Sequence, residues 1–295
     1  MNSIIKKSII TLVILMTLAG CQDVVQVELD QKGRTLTIDA FLNNLKQSQN
    51  IRLTYTNSYF NGKTPPPLVG AIVTVKDITD NKMYNFADNN DGNYTFDLTK
   101  TDVIIYTDHI YELNVKYNSY EYKAITSCKR TAKIDSLYFE YKAADSSRGD
   151  KKKGGNILFL NAKDPTGPIP DFYWVKIYKN GKYYSRPENI RVDYFGYRNE
   201  FDGYFFTANA WATSGPDGSV DPCVKGDIAK LEIYGISCET YDFLRLGQQM
   251  SNNGGLFATT PVNLPTNILS LDKTYPKATG IFSVSEVTFK EIVSP

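Results

Sequence analysis

Beyond about residue 34, apolar and polar positions alternate with a period of two, and this predicts short β-strands. In Thr35–Leu42 the side chains of Leu36, Ile38 and Ala40 share one face, and Ile51–Tyr55 repeats the pattern. Asn61-Gly62 marks a turn, and Pro65-Pro66-Pro67 prevents regular pairing. Gly70–Val75 reads as a strand, Met83–Phe86 as its hairpin partner, and Asp91–Phe96 as a turn leading into a third strand. Tyr111–Val115 and Tyr120–Ala124 alternate on either side of Asn118-Ser119, and Ile134–Tyr141 is expected to close the set. Strands and turns at such intervals predict an antiparallel β-sandwich over residues 35–142.

Residues 143–155 are small, polar and rich in glycine, and read either as an interdomain linker or as a long hairpin loop. Strands resume over 156–295, a second β-rich domain. They include Asn156–Ala162, Phe172–Tyr178 before the Asn180-Gly181 turn, Lys230–Ile236, and a final strand from Gly280 to Phe289. One helix is expected, capped by Ser237 and running through Met250, with Tyr241, Leu244 and Gln248 on one face. Glu239 and Asp242 stand near its positive end. Residues 190–220 are dense in aromatics, among them Tyr197, Tyr204, Phe205, Phe206 and Trp211. Tyr204, Phe205 and Phe206 are consecutive, so they cannot all face one core. The stretch is read evenly as packing or as contact with a ligand or partner, and Trp174, Tyr197, Tyr204 and Trp211 are the contact candidates.

The first residues change the picture. Lys6 and Lys7 precede an apolar run, Ile9–Leu18, that is too short to span a bilayer but has the length and flanks of a signal peptide. It ends in Leu18-Ala19-Gly20-Cys21, which resembles the bacterial lipobox. Residues 1–20 are therefore expected to be removed, Cys21 to be acylated, and residues 21–34 to tether the protein to a membrane through lipid. Of 33 Lys and Arg, two leave with the signal, so 31 face 32 acidic residues and the net charge is near −1. That balance excludes a nucleic-acid footprint. Export permits disulfides. Cys223 and Cys238 are expected to close one loop, leaving Cys128 over.

Catalytic patterns are not found. Gly62-Lys63-Thr64 lacks the first glycine of a phosphate loop, since Asn57 stands there. A calcium loop with Gly92 in sixth place would put Ala87 first and Leu98 twelfth, where carboxylates are required. His109 is the single histidine and has no local triad signature, so it reads as a structural imidazole. No enzyme activity, metal or cofactor is expected.

The lipobox, Val69–Val75, Gly92–Phe96, Ala162–Gly167, Phe172–Trp174, Cys238–Leu244, Thr260–Ile268 and Gly280–Phe282 follow one another in an order that resembles domain-of-unknown-function family 4249 of Bacteroidota lipoproteins. The first half also resembles Ig-like, prealbumin-like sandwiches. The family resemblance implies a partner: a TonB-dependent outer-membrane receptor that the lipoprotein would serve as accessory subunit, lid or capture component. It implies no catalytic residues. Asp23 resembles an acidic signal for surface export, although its neighbours depart from that pattern. The alternatives are a free-standing glycan-binding surface lipoprotein and an envelope structural or adhesion protein.

Overall fold

The computed structural model describes residues 34–57, 64–98, 103–143, 154–167, 169–184, 189–192, 203, 205–209, 222–251, 263–272 and 274–295. Cys21, Tyr197, Tyr204 and Trp211 lie outside them, as do the signal, most of the tether and the Asn61-Gly62 turn. The described fold is mainly β with one helix.

The alternating segments of the first half become β1 (Leu36–Asn43), β2 (Gln49–Tyr55), β3 (Ile72–Asp77), β4 (Lys82–Asp88), β5 (Asn93–Phe96), β6 (Ile110–Tyr117) and β7 (Tyr120–Ser127). In β1, β3 and β6 buried residues alternate strictly with more exposed ones over most of the strand, because one face of each covers a shared core. Tyr94, Tyr111 and Phe282 are the largest side chains fully enclosed there. The buried Tyr94 hydroxyl donates to Leu68 O (3.0 Å) and accepts from Ala71 N (3.1 Å), so it pins the segment entering β3. The Asp88–Gly92 stretch is a turn. Asp88 accepts from the amides of Gly70 and Asn90, Asp91 accepts from that of Asn93, and these bonds leave the loop held by its own backbone.

Two late strands complete this sheet. β15 (Leu269–Ser270) pairs with β7, and β16 (Ala278–Ser285) lies parallel to β1 from Leu36↔Ala278 to Asn43↔Ser285. The order is β15-β7-β6-β3-β4-β5-β2-β1-β16, and the sheet nearly closes on itself. Just past β7, Lys129 bridges to Ser285 beyond the free edge of β16. Asn267 meets that edge at Phe282. Its Nδ2 donates to Phe282 O (2.8 Å) and its Oδ1 accepts from Phe282 N (2.9 Å), as a neighbouring strand would. Gly280 (φ +106°) is required where β16 meets β1, because a Cβ there would fall 2.1 Å from Ile38 O.

The second half builds two sheets over its own core. One holds β8 (Lys133–Lys142), β9 (Gly155–Lys163) and β13 (Phe205–Asn209). The other holds β10 (Phe172–Lys179), β11 (Lys182–Tyr183), β12 (Ile190–Val192), β14 (Ile228–Ile236) and β17 (Val287–Val293). Leu158, Leu160 and Ala162 of β9 meet Tyr173 and Ile177 of β10 and Leu231 and Ile233 of β14. Ser237 caps α1 (Cys238–Ser251), its Oγ accepting from Thr240 N at 3.2 Å. Tyr241 and Leu244 of α1 pack on Ile236 and Phe172, as the helix-face pattern predicted.

Three expectations change. The strand at 134–141 does not close the first sandwich. It is β8, and it pairs antiparallel with β9 through to Lys142↔Gly155. The apolar run 280–289 is two strands, divided at Glu286, with β16 in the first sheet and β17 in the second. The first sheet is consequently completed by residues from the C-terminal part. The third change concerns Cys223 and Cys238, which do not form the expected bridge. Cys223 is buried beside Asn156, near the start of β14, whereas Cys238 is exposed just past its end. Nine extended residues at about 3.3 Å each hold the two far beyond the roughly 6 Å that a disulfide spans.

Candidate functional site

The face of the five-stranded sheet turned away from that core carries a second, partly covered cluster in which aromatic and charged groups meet. On β10 the inward residues are Tyr173 and Ile177, so Phe172, Trp174, Lys176 and Tyr178 point the other way. Register sets Trp174 opposite Tyr234, Lys176 opposite Glu232, and Tyr178 opposite Lys230. β17 adds Phe289 beside Glu232, and β11 adds Tyr183 beside Tyr178.

Glu232 is buried and well supplied. It accepts from the hydroxyls of Tyr234 (2.7 Å) and Tyr178 (3.2 Å) and pairs with Lys230 at 2.6 Å. Burial, with the Glu232 charge, pushes the Tyr178 and Tyr234 hydroxyls well above the usual tyrosine range, so both stay protonated donors.

Lys176 is held differently. Its Nζ lies 3.9 Å from the ring centre of Trp174 and 4.0 Å from that of Tyr234, a double cation–π contact. Burial pushes the ammonium down to about 8, while Glu232 acts in the opposite direction. Lys230, not Lys176, takes the close ion pair with Glu232. Trp174 is the one contact candidate that falls within the described residues. Its ring meets Phe41 of β1 (5.5 Å between centres), Tyr234 (5.9 Å) and the Lys176 ammonium. Its Nε1 is buried without a hydrogen-bond partner among the described residues.

The structure places two further groups away from this face, of which sequence reading passed over the first. Arg130 grips Asp171 through Nε and Nη2 (2.6–3.1 Å) and also donates to the carbonyls of Pro165 and Thr166. It thereby fixes the Asp164–Gly167 turn, whose Asp164 accepts from the Tyr173 hydroxyl. No local spacing pointed to this, because Arg130 and Asp171 belong to different segments. His109, read as structural, has its Nδ1 2.8 Å from Asp77 Oδ2. Asp77 is fully buried, and its other oxygen accepts from Asp80 N at 3.2 Å. Asp77, Asp80 and His109 bring possible ligand atoms within 4.8 Å of one another, but the hydrogen bonds already satisfy the buried carboxylate. An open groove of about 430 Å³ on the outer face of the first sheet is crossed by the pairs Lys116–Glu121 (3.5 Å) and Lys123–Glu112 (3.4 Å). These pairs are cross-strand neighbours on a solvated face.

Fold and site together define a mainly β protein of two joined β bodies, with an aromatic and cationic face on the second. The chain belongs to the family described as Domain of unknown function (DUF4249), whose model matches residues 22–291. No curated protein matches it.

Proposed function

We propose that this chain is a non-enzymatic, lipid-anchored outer-membrane protein, an accessory subunit of a TonB-dependent transporter that acts as lid or capture component in nutrient uptake. The observation that carries the reading is Cys21, placed behind an apolar run and small residues as a lipid-attachment signal requires. Acyl chains there would hold the body at the membrane, since each buried methylene adds about 0.8 kcal/mol. The transporter is what the family resemblance implies. A rigid β body suits that role, because a lid must keep its shape while the partner moves.

An affinity pull-down of the tagged, full-length lipoprotein from detergent-solubilised outer membrane tests it. A TonB-dependent barrel recovered in stoichiometric amount is the expected result. Recovery of the lipoprotein alone, under conditions that preserve other barrel complexes, would reject the accessory role in favour of a free-standing surface protein. Cys21→Ser should release the protein from the membrane fraction, and retention there would reject the anchor.

A further inference from the structure

Two hydrogen-bond donors on the outward face of the second body have no acceptor among the described residues. One is the Lys176 ammonium, which has ring faces beside it and no ion pair within reach. The other is the Trp174 indole N–H, buried and unpartnered. They stand two residues apart on β10, so they lie on the same face of the sheet. A buried donor left unsatisfied destabilises a fold, and native folds rarely keep such a group idle, which applies to the enclosed Trp174 N–H; the half-buried Lys176 ammonium stands beside it as an unpaired charge. Glu232 does not serve either donor by hydrogen bond. Its contacts go to Tyr178, Tyr234 and Lys230, although its charge attracts Lys176 through space.

We infer that Lys176 and Trp174 form a binding site for a carboxylate ligand. The charges at the site favour a monoanion. Lys176 and Lys230 together exceed Glu232 by one positive charge, and one carboxylate balances it. A phosphate dianion would instead place surplus negative charge beside a buried Glu232. Glu291 lies opposite Lys230 on β17 and is exposed, so solvent screens it. The rest of the ligand would meet aromatic surface. Tyr183 (45% exposed) and Phe289 (52% exposed) flank the site in the adjoining strands. An acidic sugar and a small aromatic acid share this chemistry, a carboxylate on a flat frame. Entry requires the Lys176 stem to turn, since its ammonium now rests on the indole. The inference is independent of the anchor and of any transporter.

The test uses the full mature chain with Trp211→Phe, which leaves Trp174 as the only one of the two tryptophans. Indole emission is followed during titration with sodium glucuronate and, separately, sodium benzoate, against sodium chloride at equal ionic strength. Saturation with either carboxylate and not with chloride is expected. Lys176→Met should weaken it at least tenfold. Trp174→Phe, followed by calorimetry, should weaken it severalfold while keeping the ring. Glucuronate ahead of benzoate would identify a sugar acid, and the reverse an aromatic acid. No saturation with either, an equal response to sulfate, or undiminished binding in a folded Lys176→Met variant would overturn the inference. If Lys176→Met does not fold, undiminished binding in Trp174→Phe overturns it instead.

Discussion

Lys176 makes the protein's stability depend on pH in a particular direction. Its ammonium titrates near 8 in the folded chain against an ordinary 10.5, because burial disfavours the charged form. Between those values the unfolded chain holds a proton that the folded chain has released, so stability rises with pH across that window. The full difference corresponds to about 3 kcal/mol, from which the two ring contacts subtract part, since they favour the cation. Near pH 10 unfolded tyrosines begin to ionise while Tyr178 and Tyr234 do not, and this opposes the rise. Lys176→Met isolates the lysine contribution. The stability of the native protein minus that of the variant, from urea unfolding, should increase by about 2 kcal/mol from pH 7 to pH 10. A difference that stays flat would show that the ammonium is not desolvated. The sequence marked Trp174 for attention but passed over Lys176, because a lysine at an alternate strand position normally reads as solvated. Its confinement comes from Tyr234, which lies on β14, across a gap in sequence that no local pattern crosses.

At the scale of elements, β16 shows how an edge strand is finished. The N–H and C=O of Phe282 both point away from β1, and the Asn267 side-chain amide meets them with one donor and one acceptor. Asn267→Ala should leave both groups unpaired and cost about 2 kcal/mol by denaturant unfolding. Asn267→Asp should cost at least as much, since a carboxylate accepts from the N–H but turns an acceptor against the carbonyl. A loss below about 0.5 kcal/mol in both would show that water replaces the amide readily. The strands themselves were legible: β1, β2, β9 and β10 follow their alternation closely, and Ser237 announced α1. Pairing was not. A period of two states which side chains share a face but says nothing about the neighbouring strand, so the parallel match of β1 with β16 left no local trace. The expected Cys223–Cys238 bridge failed for a related reason. Closeness in sequence is not closeness in space, and an extended β14 lies between the two cysteines.

On the scale of the whole molecule, the two β bodies are joined by strands rather than by a linker. Lys129 bonds Val284 and Glu286 at the edge of the first sheet, while Thr131 donates from its amide to the Glu286 carboxylate and from its hydroxyl to Ile233 O on β14. Gly235 of β14 donates to Glu286 O, and its lack of a side chain is required, since a Cβ would fall 2.0 Å from Arg130 O. Glu286 is thus the single residue between β16 and β17 and is bonded from both bodies. A fragment of residues 34–142 lacks β15 and β16, so β1 keeps β2 but loses its partner on the other side, and Phe282 and Val284 leave the first core. Such a fragment should not fold alone. Its proton–nitrogen spectrum should be collapsed, whereas residues 34–295 should give dispersed peaks and one cooperative unfolding transition. A dispersed spectrum from 34–142 would mean that the first body holds without its C-terminal strand and that the division near residue 143 is a true domain boundary. The expected result has a mechanical consequence: force applied to the second body would pass directly through β16 into the first, without a flexible joint to absorb it.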